Sequence, residues 1–456
     1  MLLVLLLAAF PPDAARQIVG GALSDGVAYA RLEELSDTIG PRLSGSPGAE
    51  AAVRWALQKF QQDGLAARLE PVKVPHWVRG EERGEILPQP GIVGHSLFLA
   101  ALGGSVGGDV TGEVIEARSL KEVAALGAAA RGKIIFFNHT MGTEGGYGQF
   151  VELRTHGPTE AGKVGAAGVL LRSLATASLR TPHTGMTAYD DGAPRVPAAA
   201  VTTEDAALIH RLLARGPVRV HFTLGSRWLP DADSANVVAD VRGREQPDEV
   251  VLLGAHLDSW DLAEGANDDG AGVATVMEAG RLIAGLKIPP RRTVRIVLFM
   301  NEENGLAGGK GYAAAHAGEL SRHVAAMEAD SGAAKPTGIV VHSGGEGAAL
   351  LKPWLTPLTS LGLADPIDGE TGGADLGPLA PSSVPFAGIS VDGTHYFDIH
   401  HSPADTFDKI DPEALAKDVA AFAVLAYALA EMPQTLSRPP PAERKPHSNT
   451  KPSQAR

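Results

Sequence analysis

Five short stretches of the chain bring imidazoles and carboxylates together without a thiol. They are "GAHLDSWD" with His256 and Asp258, "GANDDGAG" with Asp268 and Asp269, "NEENG" with Glu302 and Glu303, "MEADSG" with Asp330, and "HHS" with His400 and His401. Nitrogen and oxygen donors of this kind suit zinc and related divalent ions. Two histidines and three carboxylates suffice for two ions if one carboxylate bridges them. A bridged pair stands about 3.5–4 Å apart, holds a hydroxide between the ions and clamps the tetrahedral intermediate of a hydrolysis. Such a site also needs a base. One glutamate of the adjacent pair can bind metal while its neighbour, on the same turn, takes a proton from the attacking water. The residues alone leave open which is which. Each stretch by itself has a plain structural explanation: a His-x-Asp pair is usually hydrogen-bonded, and Asp-Asp before an apolar run caps a helix. The five together, each following an apolar run or opening a helix, point to a metal centre.

The elements that must position these residues are legible around them. "NVVADV", "EVVLLGAH" and "RTVRIVLFM" are β-rich runs, and "AGVATVMEAGRLIAGL" between the last two reads as a helix. Strands alternating with helices predict a largely parallel sheet covered on both faces. In such sheets function collects beyond the carboxyl ends of the strands, which is where His256, Glu302, Glu303 and Asp330 fall. "DPEALAKDVAAFAVLAYALAEM" predicts a long closing helix. Nearer the start, "VAYARLEELSDTIG" and "GAEAAVRWALQKFQQDGL" have apolar positions at helical spacing, joined by the turn cluster "PRLSGSPG". From about residue 100 to 230 short strands such as "GKIIFFN" and "AAGVLLRS" alternate with Gly-rich turns, and few charged residues converge. This stretch reads as a separate α/β module, with a helix opened at Thr202 or Thr203.

The chain has 456 residues, enough for two domains or one large domain with an insertion, and 44% of them are apolar. Its net charge of −13 is dispersed, which argues against nucleic acid as the main partner. The absence of cysteine excludes disulfides, thiolate metal sites and cysteine nucleophiles. The start, "MLLVLLLAAFPPDAARQ", is too short in its apolar run to span a bilayer. It resembles the core of a signal segment although no Lys or Arg precedes it, so secretion or periplasmic export is expected. The alternative is an apolar N-terminal helix packed on the body. The polar, Pro-rich end "SRPPPAERKPHSNTKPSQAR" reads as a disordered tail.

The same five motifs resemble those of the M28 family of di-zinc metallopeptidases, over about residues 27 to 435. "DTIGPRLSGS", "EPVKVPHWVRGEE" and "PHTGMTAYDDGAPRVPAA" add likeness to a carboxypeptidase subgroup of that family. The resemblance implies a zinc-exopeptidase fold: a mostly parallel mixed sheet sandwiched by helices, with an inserted protease-associated domain. The implied division is a signal segment at 1–18, peptidase parts at 19–100 and 233–436, the insertion at 101–232 and the tail at 437–456. It implies two zinc ions, one on His256, Asp268 and Asp330, the other on Asp268, Glu303 and His401, with Asp268 bridging. Glu302 would be the general base, and Asp258 would orient His256. His400 stands where some relatives carry a tyrosine that stabilises the oxyanion, and would take that role here. Asp375, in "GGADLGPL", would contact the substrate's free amino group. The implied activity is hydrolysis of dipeptides or short peptides with free termini, by a homodimer. Two other readings remain at this point: hydrolysis of a non-peptide amide, and a non-catalytic binding protein on the same fold. A binding protein would be expected to lack ligands or the base, and all are present.

Overall fold

The structure is a computed structural model that describes residues 10–142 and 146–441. The chain opens with α1 (Pro12–Ser24), α2 (Val27–Thr38) and α3 (Pro47–Gln62). Pro47 at the first helical position and the Ser46 hydroxyl, which accepts from Ala49 N–H, start α3 where the turn cluster ends. The segment expected at 1–18 divides. Residues 1–9 lie outside the described residues, whereas α1 runs through the expected boundary and buries Ala14, Ile18 and Ala22 in the main core.

After β1 (Ala66–Val78) the chain leaves for a second sheet: β2 (Glu82–Ile86), β3 (His95–Ser96), β4 (Leu99–Ala101), β5 (Gly108–Ala117), β6 (Ile134–Phe137), β7 (Gly168–Arg172), β8 (Ala198–Val201) and β9 (Arg219–Leu224). Their order is β3-β2-β9-β5-β6-β7-β8-β4, with β5 to β8 parallel. The module's helices are α4 (Leu120–Leu126), α5 (Tyr147–Lys163) and α6 (Thr203–Leu213). Thr202 caps α6, accepting from Asp205 N–H, as one of the two expected residues. The second sheet begins at Glu82, well before the expected boundary at 101, because β2 pairs with β9 and β4 with β8.

The chain returns as β10 (Arg227–Val241), which pairs antiparallel with β1, so the insertion hangs from two adjacent strands. Six more strands complete the first sheet: β11 (Gln246–His256), β12 (Arg292–Phe299), β13 (His323–Glu328), β14 (Pro336–His342) with its short neighbour β15 (Ile367–Asp368), and β16 (Phe386–Val391). The order is β1-β10-β12-β11-β13-β16-β14-β15, mixed, with β12, β11, β13 and β16 mutually parallel. The helices are α7 (Ala271–Ala284), α8 (Ala307–Ala315), α9 (Gly347–Leu351), α10 (Tyr396–Ile399) and α11 (Pro412–Glu431).

Why the apolar runs are unbroken is visible strand by strand. Val251, Leu253 and Ala255 of β11 enter the core under α7 and α11, while Val250 and Leu252 enter the core on the other face with Tyr312 of α8. In β12, Val294, Ile296 and Leu298 face one way and Val297 and Phe299 the other. A strand buried on both faces has no polar positions to alternate with. Each fully buried aliphatic side chain there contributes roughly 1.5–3 kcal/mol relative to exposure. The result is a stiff parallel core whose carboxyl ends share one edge. Among the described residues no helix is long and apolar enough to cross a membrane. Residues 442–456 of the expected tail lie outside the described residues, but Arg438 is anchored, donating to the carbonyls of Leu320 and His323.

Candidate metal centre

The parallel strands deliver the motifs to that one edge. His256 is the last residue of β11, Glu302 and Glu303 follow β12, and Asp330 follows β13. His256 N–H donates to Asp269 Oδ2 at 3.0 Å. Its Nδ1 lies 2.9 Å from the Asp258 carbonyl. A carbonyl only accepts, so Nδ1 carries the proton and Nε2 is left as the ligating nitrogen. Nε2 faces Asp268 Oδ1 at 3.2 Å and Asp330 Oδ1 at 3.6 Å. On the other side of Asp268, His401 Nε2 stands 3.3 Å from Asp268 Oδ2 and 3.0 Å from Glu303 Oε2.

Two groups of ligand atoms therefore converge, His256–Asp268–Asp330 and Asp268–His400–His401, each within 4.8 Å, and Asp268 belongs to both. Glu303 joins the second group through its contact with His401. These residues are buried or nearly so. Burial alone would depress both histidines. The carboxylates of Asp268 and Asp330, as hydrogen-bond acceptors, hold His256 well above the usual imidazole range, and Glu303 and Asp268 do the same for His401. His400 goes the other way: burial, then the His401 charge, push it well below that range and keep it neutral. The two rings stack with centroids 3.5 Å apart, and His400 Nε2 lies 3.4 Å from Asp268 Oδ2. Glu303 Oε1 and His401 Nδ1 are buried without a hydrogen-bond partner. A convergent, desolvated set of nitrogens and oxygens, with a buried carboxylate oxygen left over, fits divalent cations.

The adjacent acids divide their tasks. Asp269 turns to the backbone, accepting from His256 N–H and from Gly272 N–H at 3.1 Å, while Asp268 turns to the cluster. Gly272 has to be glycine for this approach, since a Cβ would stand 2.3 Å from Asp269 Oδ1. Glu303 enters the cluster and Glu302, half-buried, stays outside its ion pairs. Burial, reinforced by Glu303, Asp330 and Asp268, raises the Glu302 carboxyl well above its usual range despite His256.

Asp258 works differently from the sequence expectation. Its backbone carbonyl, not its carboxylate, orients His256; the carboxylate is 3.9 Å from Nδ1. Instead, Asp258 Oδ1 accepts from the N–H groups of Asn301 at 2.7 Å and Glu302 at 3.0 Å, and Oδ2 from Glu303 at 3.4 Å. It therefore ties the Glu302–Glu303 turn to the His256 loop. Burial pushes its carboxyl up to about 6. Asp375 is fully buried beside this turn. Its Oδ1 accepts from Gly309 N–H at 3.2 Å, and its Oδ2 has no partner. Burial, with Glu328 and Glu302 adding, raises it well above the carboxylate range.

Three positioning groups were not singled out from the sequence. Arg42 is buried and donates to the carbonyls of Gly40, Leu257, Glu264 and Gly265, so one guanidinium staples both ligand loops. Asp405 accepts from Asn267 N–H at 2.7 Å and Asp268 N–H at 3.1 Å, fixing the bridging residue's backbone. Ser44 and Asn301 lock the glutamate turn, with Asn301 Nδ2 donating to Ser44 Oγ at 2.7 Å. Arg42 and Ser44 lie in "PRLSGS" and Asp405 in "HHSPADT", so the signal was polar residues inside turns that propensity alone explains.

Comparison with known proteins decides what kind of protein carries this centre. The model of Peptidase family M28 matches residues 236–426. Carboxypeptidase Q of Mus musculus is 40% identical over 416 residues, covering 90% of this chain and 87% of that protein. The chain belongs to peptidase family M28. It is a metallopeptidase, a hydrolase. Carboxypeptidase Q of Homo sapiens is 38% identical over 93% of this chain and 90% of its own length. The crystal structure of a Peptidase M28 precursor from Shewanella amazonensis SB2B superposes with a TM-score of 0.90 at 38% identity, covering 94% of this chain and 99% of that one. A zinc aminopeptidase from Bacillus subtilis, 19% identical, shares the fold with a TM-score of 0.65 over 93% of this chain and 99% of its own.

Proposed function

We propose that this M28 peptidase is a di-zinc exopeptidase that hydrolyses dipeptides or short peptides with a free amino terminus. The observation that carries the reading is the sharing of Asp268 between two convergent ligand groups, with Glu302 beside them and outside both. His256, Asp268 and Asp330 would hold one ion, and Asp268, Glu303 and His401 the other. Zinc bound there supplies Lewis acidity and brings the pKa of water near neutrality.

The chain's own residues supply the rest. Glu302, desolvated and poised to hold a proton, takes one from the attacking water and delivers it to the leaving amine. Asp258 keeps Glu302 in place through its backbone N–H. His400, held neutral, donates to the charge that develops on the scissile carbonyl oxygen. Asp375 has one buried oxygen without a partner, close enough to Glu302 and Glu328 for their charges to act on it. An ammonium group of the substrate is the cation such a carboxylate needs. The inserted module is read as the protease-associated domain, the apolar N-terminus as an export signal, and the enzyme as a homodimer.

Peptides with free and acetylated amino termini test the reading. The wild type is expected to prefer free termini by about 100-fold or more in kcat/KM. Asp375→Asn is expected to remove most of that preference while retaining its metals. Equal cleavage of blocked and free peptides would overturn the assignment of Asp375 and favour the non-peptide amidase reading.

A further inference from the structure

The inserted module reaches the metal centre through the segment 183–185. Thr184 N–H donates to the His401 carbonyl at 2.8 Å. Packed against that segment is Arg154 of α5, 1% exposed. Its Nη1 donates to the Tyr147 hydroxyl at 2.7 Å and reaches the Thr184 carbonyl at 3.5 Å. Its guanidinium lies over the Tyr147 ring, 5.4 Å from the centroid. Gly185 presses so closely that a Cβ there would stand 2.2 Å from Nη1. Tyr147 in turn stands edge-on to His400, with ring centroids 5.2 Å apart at 89°. The guanidinium is therefore one side chain removed from the ligand cluster.

Arg154 differs from the other fully buried arginines. Arg42 spends its donors on four carbonyls, and Arg292 on Glu249 and the Met432 carbonyl. Arg154 has no carboxylate partner among the described residues, and both Nε and Nη2 are buried without a hydrogen bond. A guanidinium stays charged at any working pH, and a buried charge without a counter-ion is costly to keep. The unsatisfied atoms are not scattered. Nε and Nη2 form one edge of the planar fork, the edge that pairs side-on with a carboxylate.

We propose that Arg154 receives the C-terminal carboxylate of the peptide on this Nε/Nη2 edge. It would make the enzyme selective for short peptides whose carboxyl end is free, dipeptides above all. The inference rests on the exopeptidase reading of the metal centre. It assigns the far end of the substrate, as Asp375 is assigned the near end. The cavity at the cluster, lined by Trp260, Asp268, Glu303, His401 and Ser402 among others, measures about 10 Å³, which is roughly the room of one water. Binding there requires the 183–185 segment, tied to His401 through Thr184 N–H, to give way so that the carboxylate meets the guanidinium.

The test is kcat/KM for one dipeptide as the free acid and as its C-terminal amide, in wild type, Arg154→Met and Arg154→Lys, with metal content measured for each. The wild type is expected to prefer the acid by about 100-fold. In Arg154→Met that ratio is expected to fall to about 1, and Arg154→Lys to restore part of it. If wild type cleaves acid and amide equally, the proposal fails while the exopeptidase reading stands. If Arg154→Met loses both activities but keeps the ratio, Arg154 is a structural residue and the proposal also fails. Should the Met variant not fold, the wild-type ratio, with inhibition by a free amino acid against its amide, decides the matter. If no peptide is cleaved in any form, the exopeptidase reading falls and this proposal with it.

Discussion

The molecule contains two sheets with parallel strands at their centres, and among the described residues one of them carries the candidate metal centre. At the carboxyl edge of the peptidase sheet, His256, Glu303 and Asp330 arrive on three adjacent parallel strands and meet Asp268 and His401 from the loops. In the inserted sheet, β5 to β8 are parallel too, and their apolar residues pack both faces. Among the described residues no such cluster of imidazoles and carboxylates forms there. What it sends toward the centre is instead a phenol, a guanidinium and a backbone N–H, from Tyr147, Arg154 and Thr184. A layered fold thus provides a place for chemistry without supplying it. On the proposed reading, the first sheet would carry the bond cleavage and the second would cover the site and read the substrate.

The largest expected effect lies on the first sheet. Glu302→Gln removes the base and little else, so kcat should fall by about 10³- to 10⁴-fold in steady-state hydrolysis. A comparable loss from Arg154→Met on every substrate would blur the division between the sheets. A smaller effect is expected from Asp258→Asn, which weakens the acceptor of three N–H groups while leaving the carbonyl on His256. Metal affinity, measured by chelator competition, should drop by about 10- to 100-fold, and kcat with it. An unchanged affinity would mean that the glutamate turn holds itself.

The smallest effect on activity, and a distinct one on stability, belongs to a buried acid away from both sites. Asp418 of α11 is buried with Oδ1 unpartnered, and burial pushes its carboxyl up to about 8. Its folded pKa lies above the unfolded value of about 3.9, so the folded state binds the extra proton. Its contribution to stability is therefore full in acid and is lost as pH rises toward 8. Asp418→Asn should leave kcat unchanged and raise the melting temperature by several degrees at pH 7–8, with the gain vanishing near pH 4. A gain of equal size at pH 4 and pH 8 would remove ionisation as its cause.

Much of this was legible in the sequence because the ligands sit in contiguous motifs directly after strands buried on both faces. Unbroken apolar runs such as "EVVLLGA" mark the strand, and the first polar residues after it mark the edge. The insertion's start was not legible. β2 reads "ERGEI", a polar edge strand whose identity comes from pairing with β9, not from its own composition. The N-terminal helix was the stated alternative to a signal segment; α1 follows that alternative from Pro12 onward, and residues 1–9 lie outside the described residues. Arg42 and Asp405 escaped because their partners are distant in the chain, and Arg154 because no carboxylate partner for it lies among the described residues to mark it. Asp258 meets His256 through its carbonyl rather than its carboxylate, which spacing could not tell, since it does not say whether a side chain or its carbonyl meets the neighbouring imidazole.

The proposed centre has two ions sharing Asp268, with Glu302 outside their ligand set. Its most direct test is the metal content of the purified chain, wild type against Glu302→Gln, with hydrolysis of a free dipeptide followed on the same samples. About two zinc ions per chain in both proteins, with activity lost only in the variant, is the predicted result. One ion per chain in the wild type, or loss of metal in Glu302→Gln, would contradict it.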